Sequence, residues 1–508
     1  MTAHPGTLRV RGPLNRSHAD WLADAGTLDP PTGLYIDGRY VDAVSGARFE
    51  TFAPRDGSVL ASVAAGDVAD VDRAVASARA AFEDGRWRDL PPKRRKAVLL
   101  RFAELIRAHG AELALLESLD VGKPITEAIR VDVAKTAETI QWYAEAIDKT
   151  YQQIAPTPND ALALITHEPL GVIGVVVPWN YPLMIAAWKL GPALATGNSV
   201  VVKPAEQSPL GTLLLARLAT EAGLPDGVFN VVTGFGETAG QALGRHQDVD
   251  KIAFTGSTSV GRLFQRYAAD SNGKGVSIEA GGKSAQLVLP DVPDIAAAAS
   301  AIAWGIYYNA GQSCNAGSRL VVHESIADEL VDEVLTVAGT FVVGDPLDPA
   351  TTMGAIVSQA QLDTVLSYIE TGRAEAACVH GGRRIRTETG GWFVEPTVLR
   401  DVPNSAVVAR EEIFGPVLAT TTFRELDEGV RLANDTRYGL AASVWTADLS
   451  RAHGVARALR AGTVWVNTFD MSDVITPFGG FKDTGTGRDK SLHALDNYTA
   501  LKTTWLAL

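Results

Sequence analysis

The sequence predicts an α/β protein of two lobes, and three patterns along the chain support this fold class. Short runs rich in Val and Ile recur at intervals of roughly 20 to 30 residues from position 172, with helical patterns between them. A second series of such runs begins at position 285, whereas helical patterns dominate the segment before 172. Apolar strands that alternate with helices indicate βαβ units and buried parallel sheets, so two series indicate two lobes with a cleft between them.

The N-terminal third is expected to hold short strands followed by helices. Residues 1–30 are rich in Gly, Pro, Asp and Arg and lack periodicity, which predicts a surface arm. The KRRK run at 93–96 is interpreted as a solvated helix face rather than an anion site. Strand-like stretches lie at 35–43 and 49–63, and helical stretches at 67–82, 91–120 and about 126–149.

The two strand series account for most of the remaining chain. The strands are expected at 172–177, 199–202, 229–232 and 251–254 in the first series, and at 285–289, 319–322, 417–422, 441–446 and 463–466 in the second. The last stretch, 498–508, has β-like residues after the second lobe is complete. It predicts a strand that pairs elsewhere, and one interpretation places its partner on another subunit.

Composition excludes several classes of protein. The chain has 508 residues, of which 46% are hydrophobic and 21% charged, as expected for a globular enzyme of two or three domains. A net charge of -13 argues against a nucleic-acid binder. Only two cysteines are present, the N-terminus lacks an apolar signal region, and no apolar run reaches membrane-span length, so a cytoplasmic protein is expected. The nine histidines show no metal-ligand spacing, so no metal is expected.

Polar and glycine residues follow each strand of the first series, at the edge where α/β sheets bind ligands. They are Asn180, Lys203 with Glu206, Gly234 with Gly236, and Gly256 with Ser257. The glycine spacings match neither the usual dinucleotide fingerprint nor a complete phosphate-binding loop. Their shared position nevertheless predicts a nucleotide site, because a helix N-terminus after Gly256 presents amides to phosphate.

Two further residues suggest covalent chemistry. Cys314 lies among small polar residues in NAGQSCNAGSRL, unlike a buried inert cysteine, and a thiolate there is a candidate nucleophile. Glu279 follows an apolar strand and precedes two glycines, which suits a general base, although a surface acid would look the same in isolation.

Seven motifs, taken together, resemble the NAD(P)-dependent aldehyde dehydrogenase superfamily over about residues 34–505. They are PWNYP (178–182), KPAE (203–206), FTGSTSVG (254–261), EAGGKS (279–284), GQSC (311–314), EEIFGPV (411–417) and PFGGFK (477–482). The variants EAGGKSA, QWYAEAIDK and GRDKSLHALDNYTALKTTW resemble one subgroup. That subgroup comprises γ-glutamyl-γ-aminobutyraldehyde dehydrogenases of putrescine catabolism, with 4-guanidinobutyraldehyde and other ω-aminoaldehyde dehydrogenases.

The resemblance implies a Rossmann-type cofactor domain, a second α/β catalytic domain and a small oligomerisation element. Expected boundaries are 1–149 with 172–283 for the NAD-binding domain, 284–484 for the catalytic domain, and 150–171 with 485–508 for oligomerisation. The implied assembly is a homodimer or homotetramer.

The resemblance also assigns roles to the catalytic candidates. Cys314 would attack the aldehyde, and the side chain of Asn180 would stabilise the oxyanion together with the Cys314 N–H. Glu279 would activate water to hydrolyse the thioester, which argues against release of the acyl group to coenzyme A.

The implied cofactor is NAD, with NADP less favoured, because the carboxylate of Glu206 would repel a 2′-phosphate. A first-turn acid that stabilises a helix dipole would also explain Glu206. The residues implied in cofactor binding are Lys203, Glu206, Trp179, Gly236, Gly256, Ser257, Glu412 and Phe414.

Substrate choice stays open at this level. The implied tunnel is lined near Trp188, around Cys314 and by the loop after Asn467, in which 469–475 departs from commoner patterns. Asp120 would lie near a cationic substrate tail in some relatives, or would be a helix-end acid without a ligand. Betaine aldehyde or simple aliphatic aldehydes are alternative substrates. A non-catalytic scaffold and a cysteine hydrolase are more distant alternatives, and retention of the nucleophile, base and amide disfavours the scaffold.

Overall fold

Strands and helices alternate from residue 172 onward in the computed structural model, which describes residues 16–508. The α-helices are α1 (His18–Thr27), α2 (Val68–Glu83), α3 (Pro92–Ala108), α4 (Gly110–Val121), α5 (Ile125–Glu127), α6 (Ala134–Ala146), α7 (Pro182–Ala195), α8 (Leu210–Glu221), α9 (Gln241–Arg245), α10 (Thr258–Ala269), α11 (Ile295–Tyr307), α12 (Ala327–Ala338), α13 (Gln359–Glu375), α14 (Val407–Arg410), α15 (Leu426–Asn434) and α16 (Leu449–Ala458).

The apolar runs predicted as strands are strands in the structure, and the structure adds strands at 153–155, 161–169, 275–280, 377–380, 384–385, 393–394, 397–400 and 485–486 that no apolar run predicted. The strands are β1 (Leu34–Ile36), β2 (Arg39–Val41), β3 (Arg48–Phe52), β4 (Val59–Ala64), β5 (Gln153–Ala155), β6 (Ala161–Pro169), β7 (Val172–Val176), β8 (Ser199–Lys203), β9 (Phe229–Val231), β10 (Lys251–Gly256), β11 (Gly275–Ala280), β12 (Ala285–Val288), β13 (Arg319–His323), β14 (Ala377–His380), β15 (Arg384–Ile385), β16 (Phe393–Val394), β17 (Thr397–Arg400), β18 (Val417–Phe423), β19 (Ala441–Trp445), β20 (Thr463–Val466), β21 (Gly485–Thr486) and β22 (Thr499–Ala507).

The first lobe is built on an eight-stranded sheet of order β2-β1-β9-β8-β7-β10-β11-β21. Its five central strands, β9 to β11, run parallel, and antiparallel strands close both edges. The strands β7 and β8 are buried at every position, which explains why their sequences are continuous apolar runs. Parallel pairing brings the carboxyl ends of these central strands to one edge, where the polar residues predicted for the nucleotide site follow them.

The second lobe is built on a seven-stranded sheet of order β14-β17-β18-β13-β12-β19-β20. All of its pairings are parallel except that between β14 and β17. Two parallel α/β sheets in one chain confirm the predicted fold class. The detailed domain boundaries remain a prediction, and β21, which lies beyond residue 484, pairs with β11 in the first sheet.

A separate three-stranded sheet, β22-β6-β5, contains the C-terminal strand. The strand β22 pairs antiparallel with the whole length of β6, from Thr499 opposite Pro169 to Ala507 opposite Ala161. The predicted terminal strand therefore exists, and its hydrogen-bonded partner lies in the same chain.

The N-terminal arm and the first long helix differ from the expectation. Residues 18–27 of the arm form α1, which begins with a capping box between Ser17 and Asp20 and buries Trp21. Residues 1–15 lie outside the described part of the chain. The helix expected over 91–120 is broken at His109, where the backbone leaves helical geometry between α3 and α4. A stripe of apolar residues continues across this break and conceals it in the sequence.

The third helical stretch is interrupted rather than continuous. A π-helical segment, Ala128–Val133, separates α5 from α6. No helix within residues 16–508 is long and apolar enough to cross a membrane.

Candidate active site

Cys314 lies in a tightly constrained loop that follows α11. Asn309, Ala310 and Gly311 adopt φ values of 50°, 54° and 73°, a run of three left-handed residues that side chains normally disfavour. A Cβ at Gly311 would lie 2.1 Å from the Gly415 carbonyl oxygen, so this loop is pressed against the EEIFGPV segment. Backbone strain of this kind persists only where the surroundings enforce it, and here it fixes the residues before the thiol.

Asn180 is held beside this loop by reciprocal hydrogen bonds. Its Nδ2 donates to the Gln312 carbonyl over 2.9 Å, and Asn309 Nδ2 donates to the Asn180 carbonyl over 3.2 Å. Asn180 is buried at 2% exposure. An amide nitrogen carries two protons, so one N–H remains for a substrate oxygen beside Cys314.

Glu279 lies near the end of β11 in a buried environment. Within residues 16–508, neither of its carboxylate oxygens has a hydrogen-bond partner. Burial raises the pKa of Glu279 to about 8, Asp489 adds to this effect, and the cation of Lys189 opposes it. Lys189 and Asp489 themselves form a buried ion pair of 2.5 Å. At neutral pH the Glu279 carboxyl is therefore mostly protonated.

The thiol of Cys314 is also kept neutral. Burial raises its pKa well above the ordinary value, and the negative charges of Glu279, Glu412 and Asp470 add to the increase. Positive charge brought by a ligand would offset these negative charges and favour the thiolate.

The two glycines after Glu279 allow Glu412 and Cys314 to approach. The backbone N–H of Gly282 donates to Glu412 Oε1 over 3.0 Å. A Cβ at Gly281 would lie 1.9 Å from the Glu412 carboxylate, and one at Gly282 would lie 2.6 Å from the Cys314 carbonyl oxygen. Burial raises the pKa of Glu412 to about 7. The hydrogen bond from the Gly282 N–H acts in the opposite direction and lowers this pKa. The EAGG sequence, at the end of β11 in the first sheet, thus packs against the loop of Cys314 and the loop of Glu412 in the second lobe.

The predicted cofactor residues of the first lobe lie at strand ends on one edge. Lys203 ends β8, and its Nζ forms an ion pair of 3.0 Å with Glu206. Ser257 is the N-cap of α10, where its hydroxyl accepts from the Val260 N–H. Gly256 ends β10, and a Cβ there would lie 2.6 Å from the Phe254 ring.

Gly236 begins a π-helical segment, Gly236–Gly240, and a Cβ there would meet nothing within 4 Å. No neighbouring protein atom would clash with a side chain at this position, so the open space suits a ligand. Trp179 and Phe414 come from different lobes, and their rings meet edge to face at 5.2 Å. The structure thus brings both aromatic residues to the region between the lobes.

Sequence reasoning missed a group of buried residues that contacts Ser313, the residue before Cys314. The Tyr181 hydroxyl and Ser313 Oγ share a hydrogen bond of 2.5 Å, and Lys123 Nζ lies 3.9 Å from the centre of the Tyr181 ring. Lys123 is fully buried and pairs with Glu117 and Asp132. Lys123 lies four positions after Leu119 in LESLDVGKP. No pattern around it in the sequence indicates that it contacts Tyr181.

Asp120 belongs to the same stretch but has a structural role in the fold. Its carboxylate accepts from the Leu210 N–H over 3.0 Å and caps the N-terminus of α8. Burial raises the pKa of Asp120 well above its ordinary value. Of the two roles considered for this residue, the helix-end acid without a ligand agrees with these contacts.

These features place the free thiol of Cys314, the carboxyl of Glu279 and the amide of Asn180 together between two α/β lobes. A family model described as "Aldehyde dehydrogenase family" matches residues 40–504. The chain therefore belongs to the aldehyde dehydrogenase family, which confirms the predicted family and enzyme class.

Individual relatives are similar along nearly their whole length. The NADP/NAD-dependent aldehyde dehydrogenase PuuC of Escherichia coli (strain K12) is 51% identical over 490 residues, which cover 96% of this chain and 98% of the relative. Two solved structures superpose with a TM-score of 0.96, covering 97% of this chain and 100% of theirs. One is γ-glutamyl-γ-aminobutyraldehyde dehydrogenase from Burkholderia cenocepacia J2315, at 54% identity. The other is an indole-3-acetaldehyde dehydrogenase in complex with NAD+, at 53% identity.

Proposed function

We propose that this enzyme oxidises an aldehyde to a carboxylic acid with NAD, through a covalent intermediate on Cys314. The observation that carries the proposal is the convergence of three groups from separate elements. The negative charge of Glu279 raises the pKa of the Cys314 thiol, so the two groups lie close together. Within residues 16–508, the carboxylate oxygens of Glu279 have no hydrogen-bond partner. Asn180 lies beside the same loop with one N–H free.

The residues divide the reaction into two steps. The thiolate of Cys314 attacks the carbonyl carbon, and Asn180 Nδ2 with the Cys314 N–H donates to the oxyanion of the tetrahedral adduct. The hydride acceptor for this adduct would be NAD, held by the strand-end residues of the first lobe. The resulting thioester is attacked by water as the Glu279 carboxylate takes its proton, and the acid leaves as the thiolate is restored.

The cofactor assignment is supported by the strand edge of the first lobe. Gly236 leaves open space, the Thr255 hydroxyl is buried and has no partner within residues 16–508, and Ser257 lies at a helix N-terminus. Lys203 and Glu206 would contact the adenosine ribose, while Gly256 allows close approach. Trp179, Phe414 and Glu412 would enclose the nicotinamide end. Glu206 favours NAD over NADP through charge repulsion, and PuuC is named as using either.

We propose an ω-amino or γ-glutamylamino aldehyde of putrescine or polyamine catabolism as the substrate. The subgroup motifs and the similarity to γ-glutamyl-γ-aminobutyraldehyde dehydrogenase support this assignment. The indole-3-acetaldehyde dehydrogenase, at nearly the same identity, favours a second candidate class of uncharged aldehydes. Betaine aldehyde is a further alternative.

The proposal includes a homodimer or homotetramer. Residues 150–171 and 485–508 are proposed as the oligomerisation elements, with 1–149 plus 172–283 as the NAD-binding domain and 284–484 as the catalytic domain. The exposed edges of the β22-β6-β5 sheet support the assembly.

The test is NADH formation with a panel of aldehydes, with NADP run in parallel. The panel contains γ-glutamyl-γ-aminobutyraldehyde, 4-guanidinobutyraldehyde, 3-aminopropanal, betaine aldehyde and hexanal. We expect the amino-derived aldehydes to give the highest kcat/KM, and Cys314→Ala to bind NAD without forming NADH. A preference for hexanal would retain the enzyme class and reject the substrate class. Oxidation that survives Cys314→Ala would reject the mechanism.

A further inference from the structure

A small cavity lies at the amino ends of three strands in the second lobe. It is lined by Ala285, Arg319 and Ala441, which begin β12, β13 and β19, and by the end of α15. Its volume of about 10 Å³ is room for one small ion rather than for a nucleotide or a metabolite. None of the residues assigned to the nucleophile, the base or the cofactor lines it.

The lining of this cavity is strongly basic. Its charged members are Lys283, Arg319, Arg460 and Lys482, and none of the described residues that line it is acidic. Burial lowers the pKa of Lys482, and the like charges of Arg460 and Arg319 lower it further. The cations therefore lie close enough to repel one another, a cost that a negative charge among them would offset.

The end of α15 accounts for two of these cations. The guanidinium of Arg319 donates to two carbonyl oxygens of the last turn of α15, over 3.0 and 2.7 Å. Lys482 Nζ donates to the carbonyl oxygens of Asn434 and Thr436, over 2.8 and 3.0 Å. Cations stabilise the free carbonyl groups at a helix C-terminus, so these two side chains have a role in the fold without any ligand.

Lys283 has no such partner. Its side chain is fully buried, and within residues 16–508 its Nζ makes no hydrogen bond. Burial and the charge of Arg319 lower the pKa of Lys283 to about 7, against the opposing effect of Glu412 and Glu411. A buried ammonium without an acceptor is costly. It is therefore the group in this cavity that a negatively charged ligand would satisfy.

The acidic side chains around Lys283 are engaged with other partners. Glu412 accepts from the Gly282 N–H over 3.0 Å, and Glu411 accepts from the Tyr368 hydroxyl over 2.6 Å. Asp435, just after α15, forms an ion pair of 3.2 Å with an arginine of α14. The protein thus supplies four cations to the cavity and directs its nearby carboxylates elsewhere.

We propose that this cavity binds a small monovalent anion of the size of chloride, which the Lys283 ammonium holds from the buried side and Arg460 from the exposed side. The anion gives the ammonium a hydrogen-bond acceptor and reduces the repulsion among the cations. The site is distinct from the nucleotide and aldehyde sites, and it does not depend on which aldehyde the enzyme oxidises.

Binding at this site is coupled to proton uptake. Because the pKa of Lys283 is about 7, its amine is mostly charged below that pH and mostly neutral above it. The charged form binds an anion more tightly, so the affinity is constant well below pH 7. Above that pH the affinity falls by up to about tenfold per pH unit.

The test follows chloride binding through the line width of the chloride NMR signal. Sodium gluconate, whose anion is too large for the cavity, replaces sodium chloride to keep the ionic strength constant. Saturating NAD is present throughout, so that chloride does not occupy the phosphate positions of the first lobe. We expect wild-type protein to broaden the chloride signal, with an affinity several-fold higher at about pH 6 than at about pH 8.

Three variants locate the bound anion. Lys283→Met keeps the length of the side chain and should abolish the broadening. Arg460→Gln removes an exposed cation and should weaken binding several-fold without disturbing the fold. Arg457→Gln is the matched control, because Arg457 is exposed in the last turn of α16 and does not line the cavity. It removes the same charge and should bind chloride as the wild type does.

The remaining outcomes would overturn the inference. Broadening that persists in Lys283→Met would show that chloride binds elsewhere. Equal weakening in Arg460→Gln and Arg457→Gln would show a response to net charge alone, and this comparison is decisive even if Lys283→Met does not fold. The absence of broadening by wild-type protein with NAD would show that the cavity takes up no chloride. The oxidation of aldehydes is measured separately by NADH formation, so these results leave the proposed function intact.

Discussion

Burial around Cys314 and Glu279 sets the protonation state of both groups before any ligand binds. Their pKa values are raised, and the nearest negative charges raise them further. A protonated thiol is a poor nucleophile and a protonated acid cannot accept a proton, so both groups must ionise before they react. A ligand that brings positive charge to the loop would lower both pKa values and favour the ionised groups.

The pKa of Glu279 leads to a prediction for turnover. Burial raises this pKa to about 8, so the fraction of carboxylate increases with pH up to that value and levels off above it. We expect thioester hydrolysis to increase in the same way, close to tenfold per pH unit well below 8. In Glu279→Gln, steady-state turnover should fall by about 10²–10⁴-fold and lose this pH dependence.

Rapid mixing separates the two steps in this variant. The first burst of NADH reports formation of the thioester, and the steady state reports its hydrolysis. Because Glu279 is assigned to hydrolysis alone, the burst should persist in Glu279→Gln. Loss of the burst with the steady-state rate would contradict that assignment and would make Glu279 the base for the thiol as well.

At the residue scale, motifs reveal only part of the site. Cys314, Glu279 and Asn180 each lie in a short recognisable stretch, and they were predicted from it. Lys189 and Asp489 come together from positions 300 residues apart, and no local pattern marks such a pair. Asp470 looks like an ordinary loop acid until its bond to Asn315 is seen.

At the scale of elements, the loop of residues 309–314 gives a prediction for Gly311. Its φ of 73° and its contact with Gly415 leave no room for a side chain. We expect Gly311→Ala to lower the free energy of unfolding by about 1–3 kcal/mol and to reduce kcat/KM by moving Cys314. Urea unfolding and aldehyde oxidation measure the two effects.

Gly454→Ala is the matched control for this substitution. Gly454 lies within α16, and a Cβ there meets nothing within 4 Å. The variant should be equally stable or more stable, by up to about 1 kcal/mol, because alanine favours helix. Equal effects of the two substitutions would show that the loop is not strained.

Three of the strands that were predicted correctly share one physical property. The strands β7, β8 and β12 are buried at every position, so their composition alone identifies them. The break at His109 and the π-helical segment at 128–133 depend on packing against other elements. Helix α1 is short and is identified by its cap at Ser17 rather than by a hydrophobic stripe.

At the scale of the whole molecule, the β22-β6-β5 sheet exposes apolar side chains that an isolated chain would leave in water. Leu501 is 67% exposed, Trp505 is 63% exposed, and Ile154 on β5 is 70% exposed. Both outer strands also present unpaired backbone groups at their edges, a feature that proteins normally cover. Exposed apolar side chains on a sheet with open edges suit a contact between copies of the chain.

We therefore expect the purified enzyme to have two or four times the chain mass of 53.8 kDa. Leu501 and Trp505 lie on one face of β22, since side chains alternate along a strand. The double substitution Leu501→Asp with Trp505→Asp places charge in the contact and should lower the mass measured by light scattering. Thr504→Asp places the same charge on the opposite face and is the control. An unchanged mass in the double variant, or a monomeric wild type at micromolar concentration, would show that subunits do not associate through this sheet.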